Sequence, residues 1–183
     1  VGTLFTQGRG RRVSAMMTGT LVLAPVRLFF YQYTQGSGKH QQIKFFSVIE
    51  IFFNVQLPDI SIKHRYDLGN ILLVRPMLKN ISIREDFDRV FATFVATDLE
   101  IETFEILTPD VIEHFVANGT NFDFEFTGNR LYISQPLLGM HMSPAELEPL
   151  VIFGNYTIET LGPKLTRIAD DVRAINEAHR RPN

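Results

Sequence analysis

The sequence has 183 residues, 45% of them hydrophobic and 21% charged, which is typical of a globular domain and excludes a disordered chain. The absence of cysteine excludes disulfides, thiolate metal sites, iron–sulfur clusters and cysteine nucleophiles. A net charge of −2 argues against a surface that attracts nucleic acid as a whole. We therefore interpret 1–183 as a single domain, with a strand-rich part at 1–80, a mixed helix and hairpin part at 81–142, and a helical part at 143–183.

A basic segment lies near the start of the chain. Arg9, Arg11 and Arg12 stand in the sequence Gln-Gly-Arg-Gly-Arg-Arg, which has the chemistry to meet a phosphate or a lipid head group. The alternative is a solvated turn, in which the two glycines permit unusual backbone angles. These three arginines are the candidate binding residues. An anionic membrane surface or an unknown protein is the expected partner, and no nucleic acid is expected.

The strand-rich part is predicted from three runs of β-branched and aromatic residues, at 13–17, 21–33 and 43–57. In the third run, alternate positions are apolar apart from Ser47, which predicts a long strand with one buried face and one partly covered face. Pro58 is expected to end this strand. A further extended piece should follow at Ile60, and 69–77 is a candidate for another.

The middle of the chain changes to helical patterns. Residues 82–85, Ser-Ile-Arg-Glu, have the spacing of a capping box, and Asp98 is expected to cap a second short helix after a strand at 93–96. Residues 108–110, Thr-Pro-Asp, predict the start of a third helix. Asn-Gly at 118–119 should end that helix in a left-handed conformation.

Residues 122–133 carry the strongest turn signal in the sequence. Two alternating apolar runs flank Gly128 and Asn129, a dipeptide that favours a tight β-hairpin turn. We therefore expect two antiparallel strands joined at this position.

The C-terminal part begins with a helix cap at 143–146, Ser-Pro-Ala-Glu. Apolar residues then follow 3-4 spacing over three heptads, namely at Ile158, Leu161, Leu165, Ile168, Val172 and Ile175, with His179 at the next position. The pattern suits a coiled-coil dimer or a helix that docks on its own sheet. Because the flanking positions show no consistent charge pattern, we expect docking and a monomer.

Three motifs of the second half resemble a bacterial domain family of unknown function. They are Phe91-x-x-Phe94-Val95-x-x-Asp98, Ile106-Leu107-Thr108-Pro109, and Gly128-Asn129-Arg130-Leu131-Tyr132-Ile133. Members of this family usually follow N-terminal membrane helices. The resemblance implies a similar architecture and an association with a membrane; it supplies no activity and no catalytic residues. Residues 100–105 depart from the family pattern.

The chain begins with Val1, and we expect it to be part of a longer protein. The resemblance then implies a tether in a segment that this sequence lacks. In the full-length protein, the domain would lie at the cytoplasmic face of a bacterial membrane.

Chemistry-bearing residues are scattered. The five histidines show neither i,i+4 spacing nor an HExxH motif, and a copper site at Met140-His141-Met142 is much less favoured than a surface loop. The acidic group 85–88 is interpreted as the opening turn of a helix, where the dipole favours acids, and the group 100–105, which alternates with Ile101 and Phe104, as a solvated helix face. Such carboxylates also bind cations or transfer protons. His114 and Asp110 are expected to form a surface pair. We predict no catalytic residue and no metal, and we expect folding without a cofactor.

The sequence therefore predicts an α+β domain with a largely antiparallel sheet, helices mostly in the C-terminal half, and a long C-terminal amphipathic helix. Its expected function is that of a non-enzymatic binding module. The alternative is a hydrolase-like enzyme whose carboxylates converge only in three dimensions. A cleft with convergent titratable groups would favour the enzyme, and an exposed apolar patch would favour the binding module.

Overall fold

The computed structural model describes residues 2–65, 78–139 and 143–179, with side chains as far as residue 165. Short 3-10 turns lie at Thr3–Thr6 and Gly38–His40. The strands are β1 (Arg9–Leu21), β2 (Ala24–Gln35), β3 (Gln42–His64), β4 (Leu78–Ile81), β5 (Phe91–Ala96) and β6 (Asp123–Leu137). The helices are α1 (Glu85–Val90), α2 (Glu100–Ile106), α3 (Pro109–Asn118) and α4 (Pro144–His179). The strand expected at 69–77 and the loop 140–142 lie outside the described residues.

The described strands form one antiparallel sheet, in the order β1-β2-β3-β5-β4, with β6 along the other edge of β3. β3 lies at the centre of the sheet because a strand of 23 residues is long enough to pair with β2, β5 and β6. Its first half pairs with β2, its last residues pair with β5, and β6 follows it for most of its length. The predicted α+β class, with an antiparallel sheet and a long C-terminal helix, is confirmed.

β3 does not end at Pro58, and this prediction was wrong. The pairing with β2 stops at Ile51 and the pairing with β5 begins at Ile60, so Pro58 faces no strand on that edge. Its missing N–H therefore costs no ladder hydrogen bond there. On the other edge the register against β6 shifts around Leu57, as a β-bulge requires. The shift changes the parity of the buried face, so that Ile49 and Ile60 enter the same core.

The hairpin expected at Gly128 and Asn129 was also wrong, because both runs belong to the single strand β6. Gly128 lies opposite Leu57 at the register shift, with φ +62°, a value that glycine adopts without strain. The residue therefore permits a bulge and a bend instead of a reversal of the chain. The local preference for a turn is overridden because β3 pairs with the residues on both sides of Gly128.

One face of the bent sheet carries the helices and the main core. The chain has sixteen phenylalanines and no tryptophan, and phenylalanine fills this core: Phe87, Phe91, Phe115, Phe124 and Phe126 are all fully buried. Each such ring contributes roughly 1.5–3 kcal/mol when it leaves water. α4 completes this core by packing on β3 and β6, and Phe115 of α3 stacks on Phe124 of β6.

The helical patterns at 143–146 and 158–179 form one helix, α4, which runs through Pro149 and Pro163. Its start agrees with the predicted cap, because the backbone N–H of Ser143 donates to Glu146 Oε2 at 2.9 Å. Ile158, Leu161 and Leu165 are buried in the core, which confirms docking for these three positions of the stripe. The side chains of Ile168, Val172, Ile175 and His179 lie outside the described residues.

The close contact between α4 and the sheet depends on Gly154. A Cβ atom at this position would lie 3.0 Å from Cδ1 of Ile49 on β3. The missing side chain therefore sets how near the helix approaches the central strand.

The predicted helix ends need three corrections. Residues 82–85 form no capping box, since Ser82 Oγ donates to Asp88 Oδ2 and α1 begins at Glu85. Asp98 does not cap α2, which Leu99 precedes. α3 begins after Thr108 as predicted, but Gly119 follows it with φ −103°, outside the left-handed region. The helical patterns placed these helices correctly, and the observed N-caps of α1 and α2 lie one or two residues from the predicted caps.

The opposite face of the sheet carries a smaller aromatic cluster that the N-terminal segment covers. Phe5 lies against Tyr31 and Tyr132, with ring centres 5.0 Å apart in both pairs. The N–H of Thr3 donates to both carboxylate oxygens of the buried Glu125, at 2.7 and 2.6 Å. This cover explains why the second face of β3 is partly apolar, as its sequence indicated.

Candidate binding groove

A groove of about 540 Å³ lies between α3 and α4. Its lining combines aromatic and aliphatic side chains with a few polar groups, from His114, Asn118, Phe122, Glu148, Pro149, Ile152, Phe153 and Tyr156. The size and the mainly apolar lining are those of sites that bind ligands or the side chains of a partner.

Helical periodicity places these side chains. On α4, Glu148, Ile152 and Tyr156 recur every four residues and therefore share one side of the helix. Phe153 lies beside them and is buried in the core, whereas Ile152 is 64% exposed and Tyr156 41% exposed. The apolar side chains that α4 contributes to the groove therefore include one that is buried, Phe153, and two that are exposed, Ile152 and Tyr156.

His114 is held between aromatic rings from α4. Its ring centre lies 4.3 Å from that of Phe153 and 3.7 Å from that of Tyr156, both in stacked orientation. Asn118 Nδ2 lies 3.2 Å from His114 Nδ1, and because an amide nitrogen only donates, Nδ1 accepts. The other ring nitrogen, Nε2, is buried and has no hydrogen-bond partner among the described residues. Burial lowers the pKa of His114, which keeps the ring neutral at neutral pH.

The expected surface pair of His114 with Asp110 was wrong. Asp110 instead accepts from Lys164 Nζ at 2.7 Å, which links the start of α3 to α4. Hydrogen bonds from Lys164 and Thr108 lower the pKa of Asp110 to about 2. Since the Asp110 side chain is largely exposed, solvent screening leaves this ion pair a small contribution to stability.

Replacing His114 with phenylalanine is expected to reduce the loss of stability in mild acid. The pKa of the folded histidine lies below its ordinary value of 6.5, so the unfolded chain takes up a proton first and stability falls as the pH falls below that value. Denaturant unfolding of both proteins at about pH 7.5 and about pH 5.5 measures the difference. Because the other histidines are common to both proteins, an equal loss in the two would contradict the prediction.

The buried carboxylates do not meet in this groove. Glu50 accepts from two arginines, Asp123 pairs with Lys63 at 3.0 Å, and Glu125 holds Thr3, each on the sheet face away from α3 and α4. Within residues 2–65, 78–139 and 143–165, no three His, Asp or Glu side chains are grouped in a way that would hold a metal ion. Glu148 is the carboxylate that lines the groove.

Of the two acidic groups, the structure agrees with the interpretation of 85–88 and differs from that of 100–105. Residues 85–88 lie in the first turn of α1 as interpreted, where Asp86 pairs with Arg84. On α2 the assigned faces were wrong, because Glu102 is buried while Ile101 is 73% exposed. Glu102 lies on the same side of α2 as the buried Thr103 and Ile106, against the expectation from residue polarity.

The predicted arginines lie at the start of β1, away from the groove. Arg9, Arg11 and Arg12 are all exposed, and the structure gathers them on one edge strand instead of in a turn. A register shift between Arg9 and Arg12 breaks the pairing with β2. Arg11 Nη1 donates to the carbonyl oxygen of Phe5 at 2.9 Å, so this side chain also fixes the N-terminal segment.

Replacing Arg9, Arg11 and Arg12 together with glutamine tests the basic segment. We expect weak binding of the wild-type protein to anionic vesicles at low salt, a reduction of that binding in the variant, and no binding of either protein to duplex DNA. Vesicle flotation and a gel shift at low salt measure the two partners. Firm binding of the wild-type protein to a duplex would contradict the prediction.

The residues that line the groove were not predicted from the sequence as a site. Ile152 and Tyr156 have i,i+4 spacing on the side of α4 away from Leu150 and Leu161, and this apolar pair on the exposed face was the available signal. Their meeting with His114 follows from the packing of α3 against α4, which no local pattern specifies.

Comparisons with protein-family models, with curated proteins and with solved structures find no match for this chain. The resemblance to a bacterial family therefore stays a prediction. No helix in the described part of the chain is long and apolar enough to cross a membrane.

Proposed function

We propose that this chain is a non-catalytic binding module that receives an apolar segment of a partner protein in the groove between α3 and α4. The observation that carries the proposal is the exposure of Ile152 and Tyr156 beside the buried Phe153. Exposed aromatic and large aliphatic side chains around a preformed groove are typical of protein interfaces. The resemblance to a family that follows membrane helices supports display of the module from a bacterial membrane.

Two polar features define the expected partner. His114 is neutral at neutral pH because burial lowers its pKa, so the floor of the groove carries no positive charge. Glu148 lines the groove on the α4 side. A partner segment that inserts apolar side chains and places a lysine or arginine near Glu148 would match both features.

Selection from a library of displayed random peptides tests this function, because the natural partner need not be identified first. Peptides that bind the wild-type protein are expected to carry two or more large apolar residues together with a basic one. In fluorescence anisotropy, Ile152→Glu and Tyr156→Ala are each expected to weaken the selected peptide by about tenfold or more, as for residues at an interface centre.

A matched control is Leu138→Glu, which introduces the same charge at a fully exposed leucine outside the groove. Unchanged melting curves of all variants would show that the fold is intact. Equal loss of peptide binding in Leu138→Glu and Ile152→Glu, or failure to select any peptide, would overturn the proposal.

A further inference from the structure

A cluster of polar and charged side chains lies on the sheet face opposite the groove. The register of the sheet places Arg27 of β2, Glu50 of β3 and Tyr132 of β6 in one row, with Phe52 and Arg130 paired in the next. Directly paired residues on neighbouring strands lie close enough for their side chains to touch. The three strands therefore bring both arginines to the same carboxylate.

The distances show how tightly this cluster is built. Glu50 is buried and accepts from Arg27 Nη1 at 3.4 Å, from Arg130 Nη1 at 2.9 Å and from the Tyr132 hydroxyl at 3.0 Å. Both guanidinium groups also lie over the ring of Phe52, at 4.8 Å for Arg27 and 5.2 Å for Arg130. Cation–π contact and the shared carboxylate fix the two groups side by side.

The cluster has more positive charge than its own carboxylate requires. A single guanidinium would neutralise Glu50, yet two are present, and their side chains are 44% and 42% exposed. Each contacts Glu50 through Nη1, and among the described residues Nε and Nη2 of both have no hydrogen-bond partner. Two guanidinium groups that are fixed side by side and keep exposed N–H donors can bind one oxyanion that has several acceptor oxygens. We call this pair of guanidinium groups the fork.

We propose that Arg27 and Arg130 together bind one phosphate group on this face of the sheet. Glu50 and Tyr132 position the pair, and Phe52 forms the apolar floor beneath it. A phosphate suits the pair better than a carboxylate because it offers more oxygens than one guanidinium engages. The phosphate belongs either to a soluble phosphorylated compound or to a phospholipid head group, two sources with the same chemistry at the site. This inference is independent of the groove and goes beyond the proposed function.

Three probes distinguish these sources: inorganic phosphate, glycerol 3-phosphate, and phosphatidylcholine vesicles with and without phosphatidylglycerol. Calorimetry with the soluble probes and vesicle flotation at physiological ionic strength, where exposed charges are screened, give the affinities. Binding of glycerol 3-phosphate without binding to vesicles assigns a soluble ligand. Selective binding to the phosphatidylglycerol vesicles assigns a lipid head group.

Single variants test the fork itself. Arg27→Gln and Arg130→Gln are each expected to weaken the bound probe by about tenfold or more, since each removes half of the fork while the other arginine still neutralises Glu50. Arg130→Lys keeps the charge but loses the planar donors, and should weaken binding as well. Arg89→Gln is the matched control, because it removes an exposed arginine that pairs with Glu85 on α1.

Denaturant unfolding of each variant shows whether it folds. Absence of binding by the wild-type protein to every probe would overturn the proposal. It would also fall if folded Arg27→Gln and Arg130→Gln bound the probes as tightly as Arg89→Gln.

Discussion

Replacing Leu165 with alanine is expected to lower the free energy of unfolding by about 2–5 kcal/mol, the usual cost of removing a core leucine and leaving a cavity. Leu165 is 1% exposed and belongs to the main core, in which α4 packs on the sheet. Since this contact is made within one chain, the loss should be the same at all protein concentrations. Denaturant unfolding at two concentrations, together with sedimentation of both proteins, measures it.

Glu159→Ala is the matched control on the same helix, because Glu159 is exposed and should change stability little. The alternative was a coiled-coil dimer through the stripe that begins at Ile158 and Leu161. A dimer would make the stability of the wild-type protein rise with its concentration, and Leu165→Ala would first shift the monomer–dimer balance. A strong concentration dependence of wild-type unfolding would therefore contradict the monomer prediction.

Replacing Lys63 with methionine is expected to cost about 3–5 kcal/mol, because it leaves a buried carboxylate without its counter-charge. Lys63 Nζ lies 3.0 Å from Asp123 Oδ2, and the two side chains are only 7% and 9% exposed. The other carboxylate oxygen, Oδ1, accepts the backbone N–H of His64 at 3.0 Å and so remains occupied in the variant. Denaturant unfolding measures the loss.

Two comparisons isolate the effect of the unpaired charge. Lys79→Met breaks the exposed pair with Glu100 and should cost no more than about 1 kcal/mol. Adding Asp123→Asn to Lys63→Met removes the charge but keeps an acceptor for His64, so much of the lost stability should return. If Lys63→Met unfolded as easily as Lys79→Met, the buried pair would have no special role.

Several elements could be predicted because their signals are local. The β-branched and aromatic runs placed β1, β2 and β3, and the Thr-Pro-Asp sequence at 108–110 placed the start of α3. The 3-4 spacing of Ile158, Leu161 and Leu165 predicted the buried stripe of α4. Each of these patterns depends on residues within one or two turns of chain, so the sequence contains them completely.

The errors occurred where a distant partner competes with a local preference. Gly128 and Asn129 favour a hairpin by turn chemistry, but β3 pairs with the residues on both sides of them and converts the turn to a bulge. On α2, Glu102 lies on the buried side with Thr103 and Ile106, whereas Ile101 is exposed. For β6, pairing with β3 on both sides of Gly128 outweighs the local preference for a turn.

The sequence by itself determined the α+β class, the order of most elements and the residues that fill the core, because composition and periodicity are local properties. Only the tertiary structure decided which side chains meet. His114 and Tyr156 stack because α3 packs on α4, and Arg27 and Arg130 converge on Glu50 because three strands align in one register. Residues 27, 50 and 130 are far apart in the chain, so no spacing within the sequence encodes their contact. Strand register, set by the burial of whole faces, creates that contact.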